Sequence, residues 1–267
     1  MTAAGNRACI WRGPSLFDGA PLIVLARGFR RFHKGRAKTA VANRKTGDVV
    51  STVILRADLS PYAMLRTRRD GSTCGDCAMR PRGPRGGAGE RACYPHLGML
   101  QNQWEAWRRG LYPDEPIATL GQILRGQRMR FGSFGDPAML PREVWELFAA
   151  LSDGYTGYTH QWRWADRGLR KTMMASVDDP ADKRAACALG YRTFRTLLPG
   201  EPLDADEISC PASAEAGHKS TCDACGLCDG SRGEGDERKN IAIVRHGYPP
   251  AVAAYDAMRA RRLRVLS

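Results

Sequence analysis

Four cysteines late in the chain carry its clearest chemistry. Cys222, Cys225 and Cys228 follow one another at two-residue intervals in TCDACGLC, and Cys210 stands upstream in CPA. Thiolates are soft ligands, and a C-x-x-C pair suits zinc or iron-sulfur alike. Three of them in an unbroken C-x-x-C-x-x-C run is the spacing of bacterial ferredoxins, in which a short segment wraps one face of a cubic cluster. Cys210 is followed by Pro211, as the remote cluster cysteine of ferredoxins often is, although here it precedes the run. The set reads as a [4Fe-4S] site. A four-cysteine zinc site that only pins a loop is the alternative.

A second group lies earlier. Cys74 and Cys77 form a C-x-x-C pair, and Cys93 follows after 15 residues rich in Arg, Gly and Pro. That stretch is too interrupted by glycine and proline to form a regular element, so a basic loop held at both ends by metal is expected. Three thiolates are one short of closed tetrahedral zinc. Either His96, Cys9 or another residue supplies a fourth ligand, or a cluster iron is left open to a substrate or cofactor. Cys9 and Cys187 have no metal spacing, and Cys187, in KRAACALG, reads as a buried small hydrophobe on a helix.

The opening MTAAGNRACIWRG has no apolar core, so no secretory signal is expected and the chain is placed in a reducing cytoplasm. There, clustered cysteines mean metal, not disulfides. No apolar run approaches the roughly 20 residues that span a bilayer, which excludes a transmembrane helix.

The charge is one-sided: 41 Lys and Arg against 28 Asp and Glu leave +13 over 267 residues. Such an excess points to a polyanionic partner, nucleic acid first and an anionic membrane surface second, against the alternative of an arginine-rich coding bias. Between Arg27 and Lys45 stand eight basic residues and no acid, with Phe29, Phe32 and His33 interleaved. Aromatic faces among cations suit base stacking beside phosphate neutralisation. Candidate contacts are therefore Arg27, Arg30, Arg31, Lys34, Arg36 and Lys38, joined by Arg80, Arg82 and Arg85 from the cysteine loop. The alternative keeps the phenylalanines in the core.

The elements that must position these groups follow a βα rhythm. Residues 1–20 read as an irregular lead-in, 21–26 and 48–59 as strands, and Ser60-Pro61 as the start of a helix ending before Gly71. Helices are expected at 99–110 and 116–125, and a strand at 128–134. A helix with Val144, Leu147, Phe148 and Leu151 on one face follows. Strands at 155–160, 172–177, 191–198 and 240–246, a helix at 180–189 and a final basic helix from Pro250 complete the pattern. Alternating strands and helices argue for an α/β fold, a partial or complete (β/α) barrel with cysteine-rich metal-binding insertions. Residues 1–70 would pack on the barrel, 71–98 form the three-cysteine loop and 99–267 the βα core. Active sites of such barrels lie at the C-terminal strand ends. Asp136 and His160 are the catalytic candidates there, beside Ser133, Thr159, Ser176 and Asp178; Ser176, Asp178 and Asp179 read equally as helix caps.

Cys93-Tyr94, FGSFGDP, YTGYTHQW and CPA…TCDACGLC together resemble the gene product 88 family of phage and plasmid proteins, over about residues 70–245. That family is similar to radical-SAM enzymes, partial (β/α) barrels that hold a [4Fe-4S] cluster by three cysteines. The resemblance implies a three-cysteine cluster on Cys74, Cys77 and Cys93, an auxiliary cluster on Cys210, Cys222, Cys225 and Cys228, and S-adenosylmethionine as a cofactor. Two features depart from the enzymes' pattern: the third cysteine is displaced by the basic stretch, and no Gly-Gly-Glu segment matches. The expectation from sequence is an iron-sulfur protein of a phage or other mobile element that binds DNA or RNA. The alternatives are a radical-SAM-like enzyme acting on a nucleic acid or nucleotide, and a zinc-stabilised nucleic-acid-binding protein.

Overall fold

The computed structural model describes residues 6–33, 36–38, 43–81 and 91–266, with 31–33, 36–38 and 263–266 described by backbone alone. Its centre is one nine-stranded sheet. β1 (Arg7–Pro14) pairs antiparallel with β2 (Pro21–Arg27), which pairs antiparallel with β5 (Val50–Arg56). From β5 onward every pairing is parallel, through β6 (Met129–Phe134), β7 (Tyr155–Thr159), β8 (Met174–Val177), β9 (Thr193–Leu197), β11 (Asn240–Val244) and β10 (Glu207–Ser209). Two short strands, β3 (Arg31–His33) and β4 (Arg36–Lys38), make a separate hairpin.

From β5 to β9 the parallel strands join in sequence order, β11 then lies between β9 and β10, and β1 and β10 stay unpaired edges. Complete closure is therefore corrected to an open, mostly parallel sheet. Residues 7–14 are corrected as well, from an irregular lead-in to the edge strand β1. A register shift between Cys9 and Trp11 breaks the alternation that would have marked it.

Helices cover the faces. α1 (Pro61–Arg66) starts where the Ser60 hydroxyl accepts a hydrogen bond from the Ala63 amide at 3.3 Å, with Pro61 in the first turn. With α3 (Leu97–Arg108) it packs on Ile23, Leu25, Val53 and Leu55. On the opposite face, α4 (Ile117–Leu124) and α5 (Arg142–Leu151) close over Val24, Ile54 and Phe131. Here Trp145 is fully buried while Leu147 is exposed, so the apolar stripe expected on α5 is turned toward Trp145. The Trp145 indole donates to the Pro137 carbonyl at 2.8 Å, which fixes that rotation. α6 (Pro180–Ala188), capped by Asp179, covers β8 and β9. No helix among the described residues is long and apolar enough to cross a membrane.

Candidate metal centres and the cavity between them

β6 alternates. Met129 and Phe131 enter the core beneath α5, so Arg130 and Gly132 face the other side of the sheet. Tyr158 on β7, Phe194 on β9 and Ile243 on β11 share that side, and together they wall a cavity of about 200 Å³. α8 (Pro249–Leu266) closes it with Ala251, Val252 and Tyr255. Its rim is the C-terminal end of the parallel strands, where ligand sites of α/β sheets collect.

Thiols of both cysteine groups line this cavity: Cys74, Cys77 and Cys93 from one side, Cys210 and Cys222 from the other. All nine cysteines are free thiols. Cys74 lies within electrostatic reach of Cys77 and Cys93, and Cys228 of Cys210, Cys222 and Cys225. Burial pushes the Cys93 and Cys228 thiols up to about 12, and Cys74 well above its ordinary value. A thiol in that state keeps its proton at neutral pH, and a metal that binds it displaces the proton to solvent. Among the described residues no three His, Cys, Asp or Glu side chains are drawn close enough to hold a metal ion as they stand. The two donor sets are all thiol, the ligand chemistry that iron-sulfur demands.

The three-cysteine group sits on a short turn after β5. α2 (Gly71–Cys74) ends at Gly75, whose φ of +57° suits glycine and whose missing side chain makes room for Gln161. Buried Gln161 donates to the Cys74 carbonyl at 2.9 Å. Arg80 grips buried Asp70 with two hydrogen bonds of 2.7 and 2.8 Å and donates to the Gly75 carbonyl at 2.5 Å. Neither proposed fourth ligand joins this group. His96 is exposed at the start of α3, and Cys9 is buried beside Arg12 and Asp114.

The four-cysteine segment fills the connection from β10 to β11. Cys210 follows β10 directly, its amide donating to the Ala242 carbonyl at 2.7 Å. Cys222 and Cys225 bound α7 (Cys222–Cys225), which leans on the turn at 43–48. There the Cys222 amide donates to the Lys45 carbonyl at 3.1 Å, and Asp223 accepts from the Asp48 amide at 3.0 Å. Arg192 donates to the Leu227 carbonyl at 2.7 Å and the Lys239 carbonyl at 2.6 Å, clamping the chain on either side of Cys228. Tyr158, against Cys228, is held well above its ordinary pKa by burial and by that thiol.

Asp136 and His160 both reach the rim. Asp136 is a structural acceptor: its carboxylate takes the Thr159 hydroxyl at 2.6 Å and the amides of His160 at 2.7 Å and Ala138 at 3.0 Å. Three of the roughly four acceptor directions of this carboxylate are thereby spent on the fold. His160 adjoins Cys77. Burial pulls its imidazole pKa down, but Cys77, Asp178 and Asp136 outweigh this and raise it to about 10.

The basic candidates divide. Arg27 is exposed, whereas partly exposed Arg30 pairs with Asp48 at 2.9 Å and Arg80 with Asp70. Phe29 is 3% exposed in the core, which removes it from base stacking. Arg31 lies on β3, and Arg36 and Lys38 lie on β4. Lys34, Arg82 and Arg85 lie outside the described residues. Arg259 and Arg262 of the basic final helix face Glu201 and Asp182. Cys187 is exposed, where a buried position was expected.

No protein-family profile matches the chain, and neither a curated protein nor a solved structure matches it. What the site can do therefore rests on its own residues. Those that sequence alone passed over are Arg130, Gln161 and Arg192. The alternation of RMRFGSF was the available signal for Arg130, since a strand buried on both faces leaves its polar position facing inward.

Proposed function

We propose that this chain is an iron-sulfur enzyme with one cluster on Cys74, Cys77 and Cys93 and a second on Cys210, Cys222, Cys225 and Cys228, facing each other across one small cavity. A partial (β/α) barrel related to the gene product 88 and radical-SAM proteins is the architecture that goes with this reading. The observation that carries it is the shared cavity. A pair of purely structural metal sites has no reason to open on one internal space at the C-terminal rim of a parallel sheet. When bound, a cluster on three cysteines supplies one-electron chemistry and an iron position free for substrate or cofactor. Met79, Phe134, Phe194 and Ile243 give the space an apolar wall, and Arg80, Asp70 and Gln161 hold the three-cysteine turn in place.

Protein purified without oxygen and reduced should show an electron paramagnetic resonance signal. Part of that signal should shift when S-adenosylmethionine or another small ligand is added, and the shifting part should vanish in Cys77→Ala. A signal that no ligand moves, with three-cysteine metal that survives Cys77→Ala, overturns the open site. A zinc-stabilised binding protein is the reading that would then stand.

The charge of +13 favours a second property, binding of DNA or RNA by a mobile-element protein. Each neutralised phosphate releases counterion, so affinity should fall with salt at a log-log slope of roughly −0.7 per contact on single strands. Loss of all binding at about 50 mM salt, where such contacts are strong, removes this property and leaves the enzyme reading intact.

A further inference from the structure

Arg130, half-buried and with its Nε enclosed, differs from the ion-paired arginines of the fold. Arg56 faces Asp58, Arg195 faces Glu207, Arg238 faces Asp236 and Arg259 faces Glu201. Arg130 has no carboxylate within ion-pair distance among the described residues; its guanidinium donates to the Tyr94 hydroxyl at 2.6 Å, and its Nε is buried with no partner. Lys45, across the same cavity, meets the His246 ring at 2.8 Å and likewise forms no ion pair with a described residue. A phenol and an imidazole thus orient two cations, with no carboxylate among the described residues at ion-pair distance from either. Ser133 Oγ and His160 Nε2, also on the cavity wall, are buried and unpartnered. The one carboxylate at that wall, Asp136, is occupied by Thr159, His160 and Ala138.

A buried charge left uncompensated is costly, and a planar guanidinium with free donors matches an oxyanion in two-point geometry. We infer that the cavity is a binding site for a small molecule bearing a carboxylate or phosphate group, which Arg130 and Lys45 engage together. The apolar side chains opposite, Phe194, Ile243 and Val252, would receive the rest of that molecule. The inference names the ligand class of the site proposed above, but it rests on the cations and not on the metal. The nearby thiols of Cys210 and Cys222 are the competing sink for the same charges.

Calorimetric titration of the anaerobically purified holoprotein with inorganic phosphate, and separately with acetate, decides between them. Saturable one-to-one binding of at least one anion is expected in the wild type and in Arg12→Gln, a surface control. Arg130→Gln and Lys45→Met should each weaken it about tenfold or more, the loss of a charge-assisted contact. The preferred anion identifies the group as phosphoryl or carboxyl. Should Arg130→Gln fail to fold, Lys45→Met alone carries the test. No saturable binding of either anion by the wild type, or binding that both variants retain, overturns the inference. Iron and sulfide counts on the same samples keep the two proposals apart. Full clusters without anion binding sink only the anion site, and anion binding without iron sinks only the cluster reading.

Discussion

The two cysteine groups are built on different principles. The four-cysteine segment is tied into the sheet itself: Cys210 continues β10, Arg192 clamps the carbonyls around Cys228, and α7 rests on the 43–48 turn. The three-cysteine group hangs from one turn after β5 and draws its third thiol from beyond residues 82–90. Its order comes from an ion pair, Arg80 with Asp70, and one buried amide, Gln161. A site with four thiolates and heavy anchorage is suited to stability. One with three thiolates and a cavity at its edge is suited to exchange.

That contrast is easiest to break from the heavier side. Cys228→Ala should cost the most, because metal binding and folding are linked, and insoluble or thermally unstable protein is expected on expression. Cys225→Ala should behave similarly, whereas exposed Cys187→Ala should melt with the wild type. If Cys228→Ala is as stable as the parent, the segment does not depend on metal. Next in size is Arg80→Ala, which leaves Asp70 buried and unpaired at a cost of about 3–5 kcal/mol. Denaturant unfolding should show this loss, and metal analysis should show depletion confined to the three-cysteine group.

A smaller effect is expected of Gly47→Ala. Gly47 has a φ of +68°, and a side chain there would run into the Asp223 carboxylate. Left-handed backbone costs a non-glycine residue roughly 1–2 kcal/mol, and the displacement of Asp223 adds to it. Thermal unfolding should fall accordingly while the three-cysteine metal stays. Smallest is an acid effect. Hydrogen bonds from Arg238 hold the Asp236 carboxyl well below the usual carboxylate range. A depressed folded pKa gives stability that is complete above the unfolded value of about 3.9 and fades as pH falls toward the folded one. Stability measured from pH 5 downward should therefore decline less steeply in Asp236→Asn than in the wild type.

Much of the strand and helix order was legible because strands buried on both faces, such as PLIVLA and VSTVILR, are continuous apolar runs with glycine and proline at their borders. β1 was not, since an edge strand with a bulge carries no clean period. The metal candidates were legible from spacing alone. Which of them share a cavity was not, because Cys74 and Cys210 meet only through a sheet whose curvature no local pattern encodes. The partners of Arg30 and Arg80 were hidden for a related reason. A cation's partner is a matter of tertiary distance, and Asp48 and Asp70 lie 18 and 10 residues away.

Metal content tests the central claim most directly. Iron, acid-labile sulfide and zinc should be counted on protein made without oxygen, in the wild type and in a variant with Cys74, Cys77 and Cys93 all changed to alanine. Two clusters predict brown protein with iron and sulfide in equal amounts, and a folded variant holding half of each. Colourless protein with stoichiometric zinc and no sulfide, or a variant whose iron is unchanged, would contradict it.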